Sequence, residues 1–244
     1  MDYIIIFLIG VCATTIGTLA GGGGLISLPA MLLLGMPVHS AIGANKVSNT
    51  VSSFSSFIYL IRKKKVSLKE SAWIVPVSLA GGASGGFVAT KITEEHLYIV
   101  ISILLIFAFF TSFIGKKDFG GEQPLKMSKR SISGLYSIGI YDGLFGPGQG
   151  TLMLFLFGHL NITYIRAVGF VRLATFSSCL GAAATYIAAG EIIWPLTLAL
   201  LFGSVAGAQL GVRLAEKLKP QFVKPILRIV TILLILQIFT TKIF

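Results

Sequence analysis

Two basic residues stand at positions where an apolar chain has little use for charge. Lys46 and Arg172 lie about six residues inside long apolar stretches, and they are 126 positions apart. A cation at that depth in a bilayer is costly and ordinarily faces a polar pathway or a partner; the plainer reading is that each snorkels to a headgroup. Two glycine-rich turns keep the same spacing. Gly22 and Gly24 of Gly21-Gly22-Gly23-Gly24 match Gly148 and Gly150 of Gly146-Pro147-Gly148-Gln149-Gly150. Glycine at this density breaks a helix. A short apolar stretch follows each turn, so the unsatisfied N–H groups of a new helix open beside it. Cations and helix starts share one chemistry, the holding of an anion. The candidate anion-binding residues are therefore Gly22, Gly23, Gly24, Asn45, Lys46 and Asn49, with Gly148, Gln149, Gly150 and Arg172. Asp142 is the one acid deep within a stretch. It suits either an ion pair with Lys46 or a proton-coupling carboxylate.

Other motifs lose their chemistry in context. Gly82-Ala83-Ser84-Gly85-Gly86 has the form of a nucleophile elbow, and its GxSG core that of an intramembrane serine protease using Ser84. An elbow needs a strand-to-helix turn, whereas this segment reads as apolar helix, and His39, His96 and His159 fall near segment ends. Spacings such as Gly81/Gly85 and Gly207/Gly211 read as close helix packing. Gly115-Lys116-Lys117 lacks the upstream glycine and the Ser/Thr of a P-loop. No metal-ligand spacing occurs, and Cys12 and Cys179, both in apolar stretches, read as small core residues. An enzyme and a bound cofactor or metal are not expected.

The elements that must position these residues are helices in a bilayer. Of 244 residues, 55% are hydrophobic and 12% charged, against about 25% charged in soluble domains. Apolar stretches run over 3–20, 24–34, 41–61, 71–90 and 97–115, then over 131–145, 150–160, 166–189, 192–214 and 222–239. The first lacks the basic n-region of a signal peptide and is expected to be a retained helix. At the 126-residue offset Gly17 falls on Gly143, Gly43 on Gly169, Ser78 on Ser204, Gly81 on Gly207 and Gly85 on Gly211. Residues 1–115 and 131–244 are read as two repeats of about five membrane segments each, joined by a basic linker over 116–130.

The net charge of +11 is mostly topological rather than a sign of nucleic acid. Fifteen of the 20 basic residues cluster at 62–69, 116–130 and 213–228, which are placed on the cytoplasmic side. The basic 62–69 loop corresponds to the acidic loop at Glu191, and the acidic loop at Glu94 and Glu95 to the basic 217–224 region. Equivalent loops on opposite sides make the repeats inverted, with five crossings each and both termini outside. Lys46 is then expected in the outer half beside the 146–150 turn and Arg172 in the inner half beside the 21–24 turn. Each cation would meet the other repeat's helix start, in two anion sites or one shared site.

The paired motifs resemble the TauE/SafE family of sulfite and organosulfonate exporters over nearly the whole chain. The match is carried by Gly22-Gly23-Gly24 with Pro29, Gly35-Met36-Pro37, Ala41 to Lys46, and Gly139 to Gly150. The resemblance implies export, or in some members uptake, of a small sulfur-containing anion across the bacterial inner membrane. Arg172 and Thr175 stand where the family pattern has lysine and a nearby asparagine, and a planar guanidinium differs from a point charge in the anions it favours. The expectation is an all-α polytopic bundle of inverted repeats with glycine-broken short helices. It acts as a secondary transporter working by alternating access, with an anion channel as the alternative. Its partners are a small anionic substrate and the lipid bilayer, with no nucleic acid; a homo-oligomer is compatible with the sequence.

Overall fold

The structure, a computed structural model, describes residues 3–20, 23–111 and 124–217. Residues 1–2, Gly21 and Gly22, residues 112–123 and residues 218–244, with the apolar stretch at 222–239, lie outside the described residues. Within them are ten helices and no strand. They are α1 (Tyr3–Ala20), α2 (Gly24–Leu33), α3 (Val38–Arg62), α4 (Leu68–Ser71), α5 (Ile74–Ala89), α6 (Glu94–Thr111), α7 (Lys129–Leu144), α8 (Gln149–His159), α9 (Tyr164–Ala188) and α10 (Trp194–Ala215).

Local sequence sets these boundaries. Ser128 and Ser131 form a reciprocal capping box that starts α7, and Pro195 sits in the first turn of α10, where its missing N–H costs nothing. The helix stops repeat at the spacing seen in the sequence. Gly35 and Asn161 both have positive φ, as do Lys64 and Gly190. At each stop the same pair of N–H groups turns back: Gly35 to Leu32 and Asn161 to Gly158, Lys64 to Ile61 and Gly190 to Ile187. All four partners keep the 126-residue register.

The packing forms two groups of three. Gly203, Gly207 and Gly211 of α10 lie against the backbone of α1 at Phe7, Val11 and Thr15, so close that a Cβ would collide. On the other side of α10, α3 reaches it through Ser48 to the Thr197 carbonyl and Ser56 to the Ala208 carbonyl. The second group mirrors the first: Gly81 and Gly85 of α5 meet α7 at Tyr136 and Ile140, while Gly82 and Gly86 meet α9 at Ser178 and Ala182. Contacts advance in the same direction within each group, so its helices run parallel. Between groups α3 and α9 run antiparallel, with Gly43 against Tyr186 and Gly169 against Leu60. The glycine pairs at 81/85 and 207/211 thus serve close packing.

Only two described helices are both long and apolar enough to cross a bilayer by composition, Tyr164–Ala188 and Trp194–Ala215. The reason is clearest in α3. It has 25 residues but carries Ser48, Ser52, Ser53 and Ser56 on faces buried against its neighbours. A central helix can be polar because it is lined with protein rather than lipid. Exposed apolar side chains include Ile4 and Leu8 of α1, Phe202 and Leu210 of α10, and Ile99 and Ile103 of α6, with Val51 and Phe54 of α3 and Leu180 and Ile187 of α9.

Candidate functional site

A polar cavity of about 40 Å³ lies where the two groups meet. Its walls are Thr14 and Gly17 of α1, Gly23 and Gly24 at the start of α2, and Asn45 and Asn49 of α3. The other half supplies Asp142 of α7, Gly146, Gln149 and Gly150 around the start of α8, and Arg172 and Thr175 of α9. The two glycine turns touch: a Cβ on Gly24 would stand 3.1 Å from Pro147 Cα. A water needs roughly 10–15 Å³ of such space, so the cavity has room for about three waters or one small oxyanion.

Both helix starts, at Gly23 and Gly24 and at Gln149 and Gly150, line the cavity. Gly148 caps α8 with φ of +83°, and Gly146 precedes it at +101°; these left-handed values suit glycine. The Gln149 N–H closes back onto the Gly146 carbonyl at 2.9 Å. Side chains then knit the walls. Asn45 donates to Ser27 Oγ at 2.5 Å and accepts from Asn49, while Gln149 Nε2 donates to Thr175 Oγ1 at 3.1 Å.

The two cations have different fates. Lys46, 1% exposed, does not line the cavity. Its ammonium donates to Asp142 Oδ1 at 2.9 Å, to the Asp142 carbonyl and to the Phe145 carbonyl at 3.4 Å. Three donors meet three acceptors. Two of these are carbonyls at the C-terminal end of α7, which lack intrahelical partners and form the negative end of that helix. Lys46 therefore faces a helix end where a helix start was expected. Asp142, 3% exposed, is also saturated: Ser178 Oγ and Cys179 Sγ of α9 both point to Oδ2.

Arg172 is 6% exposed and lines the cavity. One of its five N–H donors reaches the Gly17 carbonyl at 3.0 Å. Its Nε is buried without a partner, and among the described residues no ion pair engages it. The cause is visible at the 126-residue offset. The counterpart of Asp142 is Ile16, so the α1 side offers a carbonyl but no carboxylate.

Of the residues singled out by sequence, Gly23, Gly24, Asn45, Asn49, Gln149, Gly150, Arg172 and Asp142 share the cavity. Gly148 stands behind it as the cap of α8. Thr14, Gly17, Gly146 and Thr175 complete the walls without having been among the candidate residues. Thr175 was within reach, since it occupies the place equivalent to Asn49; Thr14 carries no such signal. Ser84 lies inside α5, bonded to the Ala80 carbonyl and near Tyr136 Oη, with no histidine beside it. Cys179 does more than fill space, because its thiol contacts Asp142. Among the described residues no group of His, Cys, Asp or Glu is arranged to hold a metal ion.

An all-helical bundle with exposed apolar side chains and a polar site between its two groups of helices suits a membrane protein. The chain belongs to the sulfite exporter TauE/SafE family, whose model matches residues 6–238. It is 29% identical over 234 residues to a "Probable membrane transporter protein" of Haemophilus influenzae, covering 94% of this chain and 91% of that one. It is 31% identical over 239 residues to the Sinorhizobium "Probable membrane transporter protein ORF9", covering 96% and 90%. To YfcA of Escherichia coli K12, also a "Probable membrane transporter protein", it is 28% identical over 231 residues, covering 93% and 86%. No solved structure matches the chain. The protein is a membrane transporter and not an enzyme, which removes the protease reading of Ser84.

Proposed function

We propose that the chain carries a small sulfur-containing or organic oxyanion, of the sulfite or sulfonate kind, out across the bacterial plasma membrane by alternating access. The observation that carries this reading is Arg172, a buried guanidinium with an unpartnered Nε and no ion pair among the described residues, facing an oxyanion-sized cavity between two helix starts. A buried charge left uncompensated is destabilising, and an oxyanion would both pair with the guanidinium and accept from the N–H groups of α2 and α8.

Rocking of one half against the other would expose the anion alternately. The two halves are read as an inverted-topology duplication, residues 1–115 and 131–244 about the linker 116–130. Support comes from α1, α3 and α10 running parallel, antiparallel to their counterparts α7, α9 and α5. Sites at the meeting of inverted repeats are the rule in such carriers. The basic loops are placed in the cytoplasm and both termini outside.

The test is flux in proteoliposomes across sulfite, sulfoacetate, thiosulfate and small carboxylates. A carrier gives saturable uptake selective among these anions, and Arg172→Gln removes it. Flux that rises linearly with concentration and shows no exchange would make the protein a channel.

A further inference from the structure

Arg172 and Lys46 occupy equivalent places in the repeat register, and each donates toward the end of the first helix of the opposite half: Arg172 to Gly17 of α1, Lys46 to Asp142 of α7 and to Phe145 just beyond it. The two environments differ in one charged group. Beside Lys46 the chain supplies the Asp142 carboxylate, 3% exposed, held on its other oxygen by Ser178 and Cys179. Position 16, the counterpart of 142, is isoleucine, and the Arg172 Nε has no partner.

We propose that Lys46 marks a second oxyanion site, closed because Asp142 fills it as a covalently tethered anion, and that the mobile anion at Arg172 is the counterpart of this carboxylate. The inference rests on the proposed binding of an oxyanion at Arg172. It fixes the stoichiometry at one exchangeable anion per chain. It also names the ligand class of the closed site, a carboxylate or similar monoanionic oxyanion with one oxygen for the ammonium and one for the Ser178 hydroxyl. Gly146 marks how tightly the site is filled, since a Cβ there would meet the Lys46 ammonium and stand 2.9 Å from Asp142 Oδ1.

Removing the tether should open the site. Equilibrium binding of radiolabelled sulfite and of formate to the detergent-purified full chain reads it directly. Wild type binds one sulfite, and Arg172→Gln binds none. Asp142→Ala in the Arg172→Gln background regains one formate or sulfite per chain, and formate raises its unfolding temperature; adding Lys46→Gln abolishes both effects. The reciprocal pair tests the same idea without emptying the site. Ile16→Asp places a carboxylate at the register position of Asp142 and is expected to lower sulfite binding at least tenfold, whereas Ile16→Asn keeps it within about twofold.

Sulfite binding that survives Arg172→Gln with Asp142 intact strikes the proposed function itself. Binding lost in Arg172→Gln and not regained in Arg172→Gln/Asp142→Ala overturns the second site alone. If the Asp142→Ala chains do not fold even in formate, the Ile16 pair decides: equal sulfite binding by the aspartate and asparagine variants overturns the proposal.

Discussion

The two central cations should respond oppositely when their charge is removed. Lys46 and Asp142 have side chains 2% and 4% exposed and 2.9 Å apart. Lys46→Met leaves the carboxylate buried and uncompensated. It also takes away the donor that two α7 carbonyls use. Breaking a buried pair from one side costs about 3–5 kcal/mol, which for a chain of this size lowers the unfolding temperature by about 6–20 °C. Asp142→Leu in the same chain removes the orphaned charge and should restore most of the loss, since apolar groups of similar volume replace a buried pair at little cost. Arg172→Met gives up one hydrogen bond, to Gly17, worth about 1.5–3 kcal/mol when the donor is charged. It also relieves a buried guanidinium of several kcal/mol of uncompensated desolvation. Its stability without added sulfite should equal or exceed that of wild type, while anion binding disappears. Thermal unfolding of the purified variants in detergent, read by tryptophan fluorescence, checks this. Equal losses in the two methionine variants, or a Lys46→Met change within about 1 kcal/mol, would refute the assignment of one cation to structure and the other to the anion.

Three further outcomes follow. Gly146→Ala forces a side chain into a left-handed conformation at φ +101° and against the Lys46 ammonium; a loss of at least about 1–2 kcal/mol is expected in the same unfolding assay. Ser84→Ala removes only contacts to Ala80 and Tyr136, so transport in proteoliposomes should match wild type and stability should change by less than about 1.5 kcal/mol. With Cys12, which is exposed, replaced by serine, cysteines introduced for Lys64 and Glu191 should react with an impermeant maleimide from opposite sides of the membrane. Labelling from one side would contradict the inverted arrangement.

Much of the positioning was legible because it depends on local backbone rules and on a repeat. The two turns with their short helices, the stops at Gly35 and Gly190, and the close-packing glycines at 81, 85, 207 and 211 all follow from residue type and the 126-residue register. The difference between Lys46 and Arg172 was half legible. Isoleucine at 16 against aspartate at 142 is written in the sequence. That Lys46 turns onto the carbonyl end of α7 instead of the start of α8 depends on how α3 and α7 approach, which no local pattern encodes. Cys179 against Asp142 was hidden for the same reason, as was Thr14 in the wall. The burial of the α3 serines was not legible either, because Ser48 and Ser56 are covered by α10 at Thr197 and Ala208, which depends on how the helices pack.

The central claim is that Arg172 holds the transported anion. Counterflow measures it most directly: proteoliposomes loaded with unlabelled sulfite are diluted into a trace of labelled sulfite, and accumulation of label is followed over time. Wild type should show a transient overshoot that grows with the internal load and saturates, and Arg172→Gln, inserted to the same density, should show none. An undiminished overshoot in Arg172→Gln would place the anion elsewhere in the bundle and contradict the account.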